Sequence, residues 1–317
     1  MLSQGLEINV AKLGLERIKR HAIASADKYL IIADDIADSF DYKNKYAIIE
    51  YLNDLSISTN IDMVVLTHNF DFYRTIMTRL NIARKNCYIV QRNDDDTLSM
   101  SQFKYRKDFF NKVIVNSIKD GQIDSDTKKI YLISSIPFYR NLYEYMRRED
   151  DYLKLTCFLH VKASPLGTKT LKLSDLWGII APLFGLDALN IDRDELYIDA
   201  LKRNATAVSA YHGDEVFLEN KILIAIAIRL ETELFLESVL LENGHTNFES
   251  TDIQTREWSN LAGPYLSHKQ KEIIDAVNLM TPESIHLNSF MYEPIIDMSD
   301  WMLKALYTDV LALHTHM

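Results

Sequence analysis

Two adjacent carboxylates, Asp34 and Asp35, follow a short apolar run of sequence LIIA at residues 30–33. A buried parallel strand is typically a short continuous apolar run, and ligand sites in open α/β sheets lie at the carboxyl ends of the strands. Two acids at such an edge would pack poorly, but they suit a metal ion and a water molecule beside a phosphate. The pattern also fits a core strand that enters an acidic turn.

A second polar cluster, THN at residues 67–69, ends another apolar run at residues 63–66. The segment between the two runs places its apolar side chains on one helical face. Strand, helix and strand in this order predict a βαβ unit with a right-handed crossover. The two polar clusters would then lie side by side at one edge of the sheet. The helical face comprises Ile48, Ile49, Leu52 and Leu55.

The chain has 317 residues, of which 47% are hydrophobic and 25% charged, with 9 glycines and 6 prolines. This composition predicts a globular, helix-rich protein of one large domain or two ordinary ones. The formal net charge of −10 argues against a broad surface that coats nucleic acid, although a local basic patch stays open. The two cysteines have neither metal-site spacing nor a disulfide framework, so we expect a reduced, cytoplasmic setting.

The most apolar long segment, residues 222–241, is interrupted by charged residues that are costly at the centre of a bilayer. We therefore predict a buried helix there and no membrane partner. The N-terminus lacks the basic start and apolar core of a secretory signal. The interrupting residues are Arg229, Glu231, Glu233 and Glu237.

Near the N-terminus, Ser3 and Gly5 precede a helix-compatible stretch. Such a turn presents backbone N–H groups and the positive end of the helix dipole, which favours an anion. Many helices begin with these residue types, so a purely structural role is the alternative.

Taken together, four short motifs resemble the C-terminal half of the core of ABC-type ATPases, particularly the SMC- and RecF-like branch. LSQG at residues 2–5 is similar to the signature motif, and LIIADD at residues 30–35 to the Walker B strand. ADSFD at residues 37–41 is similar to the D-loop, and LTHNFDF at residues 66–72 to the histidine switch loop. With IHLNSFMYEPIIDMSDW further along, the chain resembles a bacterial family of large AAA/ABC-type ATPases associated with phage defence.

The resemblance implies roles for three residues of the sheet edge. Asp34 would hold Mg²⁺ through water, because Mg²⁺ keeps most of its hydration shell. Asp35 would orient or deprotonate the attacking water, and His68 would hydrogen-bond the γ-phosphate of ATP. Asp35 is one methylene shorter than the glutamate usual at its position, which implies slow hydrolysis.

The resemblance also implies a dimer formed on ATP. Ser3 and Gly5 would contact the γ-phosphate of a nucleotide held by a second subunit. Ser39 and Asp41 would couple the two sites across that dimer. Nucleic acid would be contacted through other segments of a full-length protein.

The sequence contains no Gly-x-x-x-x-Gly-Lys-Ser/Thr phosphate loop, which holds the β- and γ-phosphates in such enzymes. In the family, that loop lies several hundred residues before the signature. We therefore expect the chain to be the C-terminal portion of a larger ATPase, whose missing N-terminal half or second subunit completes the site. Alone, the chain should bind ATP weakly or not at all.

The predicted fold class is α/β, with a partial P-loop NTPase sheet of the ABC type followed by a mainly α-helical C-terminal domain. The predicted domains are residues 1–95, the ATPase half, and residues 96–317, the helical domain. The polar stretch at residues 92–102 is the candidate boundary between them. Without neighbouring strands, the sheet would have an open edge, so residues 1–95 alone should be poorly folded or oligomeric.

The helical domain has a candidate effector site in Arg140, Glu144 and His160, because some relatives of this ATPase group carry helical ribonuclease domains. The alternative is that Arg140 and Glu144 form an (i, i+4) surface pair and His160 is a satisfied histidine. Two functions therefore stay open: an ATPase module that controls an effector, or a non-catalytic interaction protein built on an ATPase remnant and a helical binding domain.

Overall fold

The computed structural model describes residues 27–36, 42–58, 60–93, 95–102, 115–184, 191–211, 217–246, 254–280 and 299–314, with a few single positions before residue 22. The chain divides into two compact units. The first comprises Met1–Ile89 and Gln102–Lys107, and the second comprises Val90–Ser101 and Asp108–Met317. The sequence-based boundary between residues 95 and 96 stays a prediction.

The first unit contains a two-stranded parallel sheet, in which β1 (Tyr29–Asp34) pairs with β2 (Ile61–Leu66). Helix α1 (Tyr42–Ser56) connects the strands, and helix α2 (Phe70–Arg79) follows β2. The predicted parallel pair with its connecting helix is confirmed. Strand β2 begins before the apolar run because Asp62, on an exposed position of the strand, interrupts the hydrophobic pattern.

One face of this sheet is buried beneath both helices. The predicted apolar face of α1 is buried, and it meets Phe72 and Ile76 of α2. Met63 and Val65 of β2 pack against the same core. Alternate strand positions point to one face, so the period-two pattern of the strands and the helical period of α1 meet in one core.

The other face of the sheet is exposed, and it carries four apolar side chains besides Asp34 and Asp62. The apolar side chains, Leu30, Ile32, Val64 and Leu66, are between 44% and 63% exposed. The register places Ile32 opposite Val64 and Asp34 opposite Leu66, so the four side chains form one continuous patch. Parallel strands normally have both faces covered, and this pair has one.

A second two-stranded sheet is formed by β3 (Tyr88–Arg92) and β4 (Leu98–Gln102). A short connection joins them, closed by a bond from Asn93 N to the Thr97 carbonyl (2.8 Å). The run NCYIVQ at residues 86–91 is typical of a short strand, and β3 lies within it and one residue beyond. The polar stretch that follows is not only a loop, because it contains β4.

The second unit is helical, and the coarse prediction of a small α/β part followed by a mainly helical part is confirmed. Helix α9 is central, since it contacts α4, α8, α10, α11 and α12. The helices are α3 (Asn116–Lys119), α4 (Ser125–Ser134), α5 (Ile136–Tyr145), α6 (Glu149–Thr156), α7 (Leu173–Phe184), α8 (Tyr197–Ser209), α9 (Leu218–Glu242), α10 (Gln254–Ala262), α11 (His268–Met280) and α12 (Asp300–Leu313).

Local sequence explains several helix boundaries. The Asp124 carboxylate accepts a hydrogen bond from Thr127 N (2.9 Å) and caps α4. Pro137 lies in the first turn of α5, where a helix tolerates its missing N–H. Gly244 follows α9 with a φ of 82°, a left-handed conformation that ends the helix. Ser299 precedes α12 as its N-cap residue.

Helix α9 is the segment with the strongest apolar character, and the prediction that it is a buried helix is confirmed. Its side chains are buried along most of its length, including those of five charged residues, Glu219, Lys221, Arg229, Glu231 and Glu233. Within the residues that the structure describes, no helix is long and apolar enough to cross a membrane.

Candidate functional site

The carboxyl ends of β1 and β2 meet at one edge of the parallel sheet. The two strands are in register, with Asp34 opposite Leu66, so each polar cluster begins just beyond the same edge. Asp35 continues the ladder for one more bond, since its N–H donates to the Leu66 carbonyl (3.0 Å). The register therefore brings the first cluster, Asp34 and Asp35, next to the second, which includes His68.

Asp35 and His68 are in direct contact. One carboxylate oxygen, Asp35 Oδ1, accepts the backbone N–H of His68 (3.3 Å) and lies 3.1 Å from His68 Nδ1. Asp35 has a φ of 44°, in the left-handed region, which turns its side chain away from the path of the strand. A ring proton on Nδ1 would donate to this carboxylate oxygen.

The residues beside His68 fix the turn that presents it. Asn69 caps α2, because its Oδ1 accepts the N–H of Phe72 (2.8 Å). Thr67 Oγ1 accepts the N–H of Asn69 (3.1 Å). His68 therefore lies in a tight, hydrogen-bonded turn between β2 and the N-terminus of α2, and the positive end of that helix dipole lies at the same edge.

Asp34 occupies a different position from its neighbour. As a residue of β1 it follows the strand alternation and shares the exposed face with Leu30 and Ile32, whereas Ala33 faces the core. Asp34 and Asp35 are both exposed. Among the described residues, no group of three or more His, Cys, Asp or Glu side chains forms a metal site.

The other residues implied by the resemblance lie outside the described residues. These are Ser3 and Gly5 of the signature-like motif and Ser39 and Asp41 of the D-loop-like motif. Their roles stay predictions.

The three residues of the candidate effector site have different surroundings. Arg140 on α5 is buried, donates from Nε to Thr156 Oγ1 (2.8 Å), and hydrogen-bonds the Tyr152 hydroxyl. Glu144 is exposed. His160 is buried in a contact with Glu233 of α9, 2.7 Å from Nδ1 to Oε1.

Sequence reasoning took Glu233 only as a charge that interrupts an apolar run, and it missed the cluster that surrounds this residue. Besides His160, the Glu233 carboxylate accepts from Val161 N (2.8 Å), Gln254 Nε2 (2.8 Å) and Thr255 Oγ1 (2.6 Å). A charged residue inside a buried helix must be paired, so the charge of Glu233 within an apolar run indicated that it has partners. Those partners lie far away in the sequence, so the sequence alone could not identify them.

Comparisons of the chain with protein-family models, with curated proteins and with solved structures find no match. The proposed function therefore rests on the residues and geometry described above.

Proposed function

We propose that the first unit is the ATP-binding and hydrolysing module of an ABC-type ATPase of the SMC- and RecF-like branch, and that it controls an effector in phage defence or nucleic-acid sensing. The observation that supports this proposal is the contact between Asp35 and His68 at the carboxyl edge of a parallel strand pair. That edge is where α/β proteins bind ligands. Exposed acid and imidazole groups there serve chemistry better than packing.

In this proposal, the three residues at the sheet edge have different roles. Asp34 would hold Mg²⁺ through water, and the ion would neutralise charge on the phosphates. Asp35 would orient the attacking water and, through Nδ1, the ring of His68. His68 would contact the γ-phosphate through Nε2. Oxygen donors of this kind suit Mg²⁺, and the exposed position of Asp34 leaves space for its hydration shell.

The β- and γ-phosphates need a phosphate loop, and the sequence contains none. In this proposal, the loop comes from another polypeptide segment, either an N-terminal ATPase half or a second subunit. ATP would then join two such assemblies as a dimer. In that dimer, Ser3 and Gly5 would contact the nucleotide of the partner, and Ser39 and Asp41 would couple the two sites.

A second candidate is a non-catalytic interaction protein in which the helical unit provides the binding surface. The observation that favours it over a ribonuclease is the internal use of Arg140 and His160, whose side chains are buried and hydrogen-bonded to neighbouring helices. Glu144, in contrast to these two residues, is exposed on the surface. These surroundings suit packing roles better than a shared active site.

Turnover of ATP by the chain together with a phosphate-loop polypeptide tests the proposal. Asp35→Asn and His68→Ala should each lower turnover at least about 100-fold, the usual contribution of a positioned acid–base group. Asp62→Asn is the matched control, since Asp62 is an exposed aspartate at the other end of the same sheet. This control should hydrolyse ATP at the parent rate.

Two outcomes distinguish the candidates. If Asp35→Asn and His68→Ala hydrolyse ATP at the parent rate, the assignment of the site is wrong. If the assembly forms but shows no turnover and no ATP-dependent dimerisation, the interaction protein is the better description.

A further inference from the structure

The central helix α9 carries a carboxylate that is sealed inside the second unit. The Glu233 side chain is 0% exposed. Its two oxygens accept four hydrogen bonds, from His160, Val161, Gln254 and Thr255. His160 and Val161 belong to the turn after α6, and Gln254 and Thr255 open α10. One carboxylate therefore ties this turn and α10 to α9.

Two cations contribute to the charge at this cluster. Arg229 lies one turn before Glu233 and donates from Nη1 to Thr255 Oγ1 (3.4 Å). The Thr255 hydroxyl proton goes to Glu233, so its oxygen is the acceptor for Arg229. Lys162, just after the turn, adds positive potential at His160. Glu233, Arg229 and Lys162 are charged groups that act on the pKa of His160.

Helix α9 has a second glutamate–histidine pair on its other side. Glu231 lies two residues before Glu233, about 200° around the helix. Its carboxylate pairs with His314 Nε2 (3.2 Å), at the end of α12, and with Lys202 Nζ (3.3 Å) of α8. The His314 side chain is 30% exposed, whereas that of His160 is 8% exposed. Of these two pairs, only His160–Glu233, whose carboxylate also binds α10, is closed to water.

The consequence of protonating His160 follows from its burial. Burial lowers the pKa of His160 and outweighs the attraction of Glu233, and Arg229 and Lys162 act in the same direction as burial. In the closed state, the ring is neutral and donates from Nδ1 to ionised Glu233. A ring released into water has its ordinary pKa of about 6.5, so it takes up the proton more readily. Acid therefore favours the open state.

We propose that the His160–Glu233 pair is an acid-sensitive latch, which holds α10 and the turn at residues 157–161 on α9 and releases them on mild acidification. Helix α12, held through the hydrated His314–Glu231 pair, stays docked. All residues of the latch belong to the second unit.

Hydrogen exchange of the full chain between pH 7.5 and pH 5.5 tests the latch. After correction for the intrinsic pH dependence of exchange, amides of α10 should lose protection about tenfold per pH unit below about pH 6.5, the slope for one proton. Amides of α12 should change by less than about threefold over the same interval. Equal loss in both helices, constant protection of α10 or stronger protection in acid would each overturn the proposal.

Two variants assign the effect to His160. His160→Gln keeps an N–H donor for Glu233 but cannot titrate, so α10 should lose its pH dependence. His314→Gln is the matched control, and it should leave the pH dependence of α10 intact. If the amides of α10 in His160→Gln still lose protection as steeply with falling pH as in the parent chain, the latch is contradicted. If that variant does not fold, the comparison of α10 with α12 in the parent chain still decides, since it needs no substitution.

Discussion

At the scale of single residues, the Glu233 side chain is fully buried and its carboxylate accepts four hydrogen bonds. Burial alone would raise the pKa of its carboxyl, but the pKa is lowered overall by the interaction with His160 and by the hydrogen bonds from Thr255 and Val161. Glu233 is therefore ionised in the folded protein. A buried charge is tolerated only where donors replace the lost water, and here four do.

Glu233→Gln should destabilise the chain by about 3–5 kcal/mol, because the new amide places an N–H group against existing donors and leaves the cluster without its charge. Urea unfolding followed by circular dichroism measures the change. Glu242→Gln is the control, because Glu242 is exposed at the end of the same helix and its replacement should change stability by less than about 0.5 kcal/mol. Equal losses of stability in both variants would show that the Glu233 carboxylate contributes no more to stability than the control residue.

At the scale of elements, the ends of helices depend on single capping residues. The pKa of the Asp124 carboxyl is lowered by its hydrogen bonds to the Thr127 side chain and backbone. Its capping contribution is therefore present above the ordinary pKa of about 4 and is lost as pH falls through the lower, folded-state value.

Asp124→Ala should cost about 1 kcal/mol at pH 7, because the N–H of Thr127 loses its acceptor. Asp124→Asn should retain most of the stability, since an amide oxygen caps nearly as well, and should remove this contribution to the acid dependence. Unfolding free energies of the three chains at pH 7 and at pH 3 provide the test. An alanine variant as stable as the parent at pH 7 would exclude the cap.

Two glycines in the second unit should respond to alanine with opposite signs. Gly244 has a φ of 82°, so a Cβ is strained there even though no atom lies within 4 Å of it, and Gly244→Ala should cost about 1 kcal/mol. Gly178 lies inside α7 with equally open space, and Gly178→Ala should stabilise by about 0.5–1 kcal/mol. Thermal unfolding of the two variants gives both signs, and the same sign in both would contradict the backbone explanation.

The elements that the sequence predicted well are those with long or unambiguous patterns. The apolar face of α1 followed from its helical periodicity. The length of α9 followed from its long apolar run and from Gly244, which ends it. Strand β4 was missed because Leu98 and Met100 alternate with serine in a short, polar stretch. The meeting of Asp35 with His68 was predicted from strand order, but the φ of Asp35 and the proton position on His68 depend on tertiary contacts. The Glu233 cluster joins residues distant in sequence, which periodicity cannot detect.

At the scale of the whole molecule, the exposed apolar side chains on one face of the β1–β2 sheet favour self-association. Leu30, Ile32, Val64 and Leu66 form one patch on a sheet that also has few strands. Exposed apolar patches and unpaired strand edges favour association with other chains. The chain should therefore self-associate in a concentration-dependent manner whenever nothing covers this face.

Replacing Ile32 and Val64 together by threonine should reduce that association while keeping the strands, since threonine has a high β propensity and the two residues are register partners on the exposed face. Sedimentation velocity over a tenfold range of concentration measures the effect, and we expect a shift towards monomer. Ile57→Thr is the control, because Ile57 is 74% exposed but lies outside both strands. If the control reduces association as much as the double variant, general hydrophobicity is responsible. If neither does, the exposed sheet face does not drive association, and the expectation that the isolated first unit is oligomeric loses its physical basis.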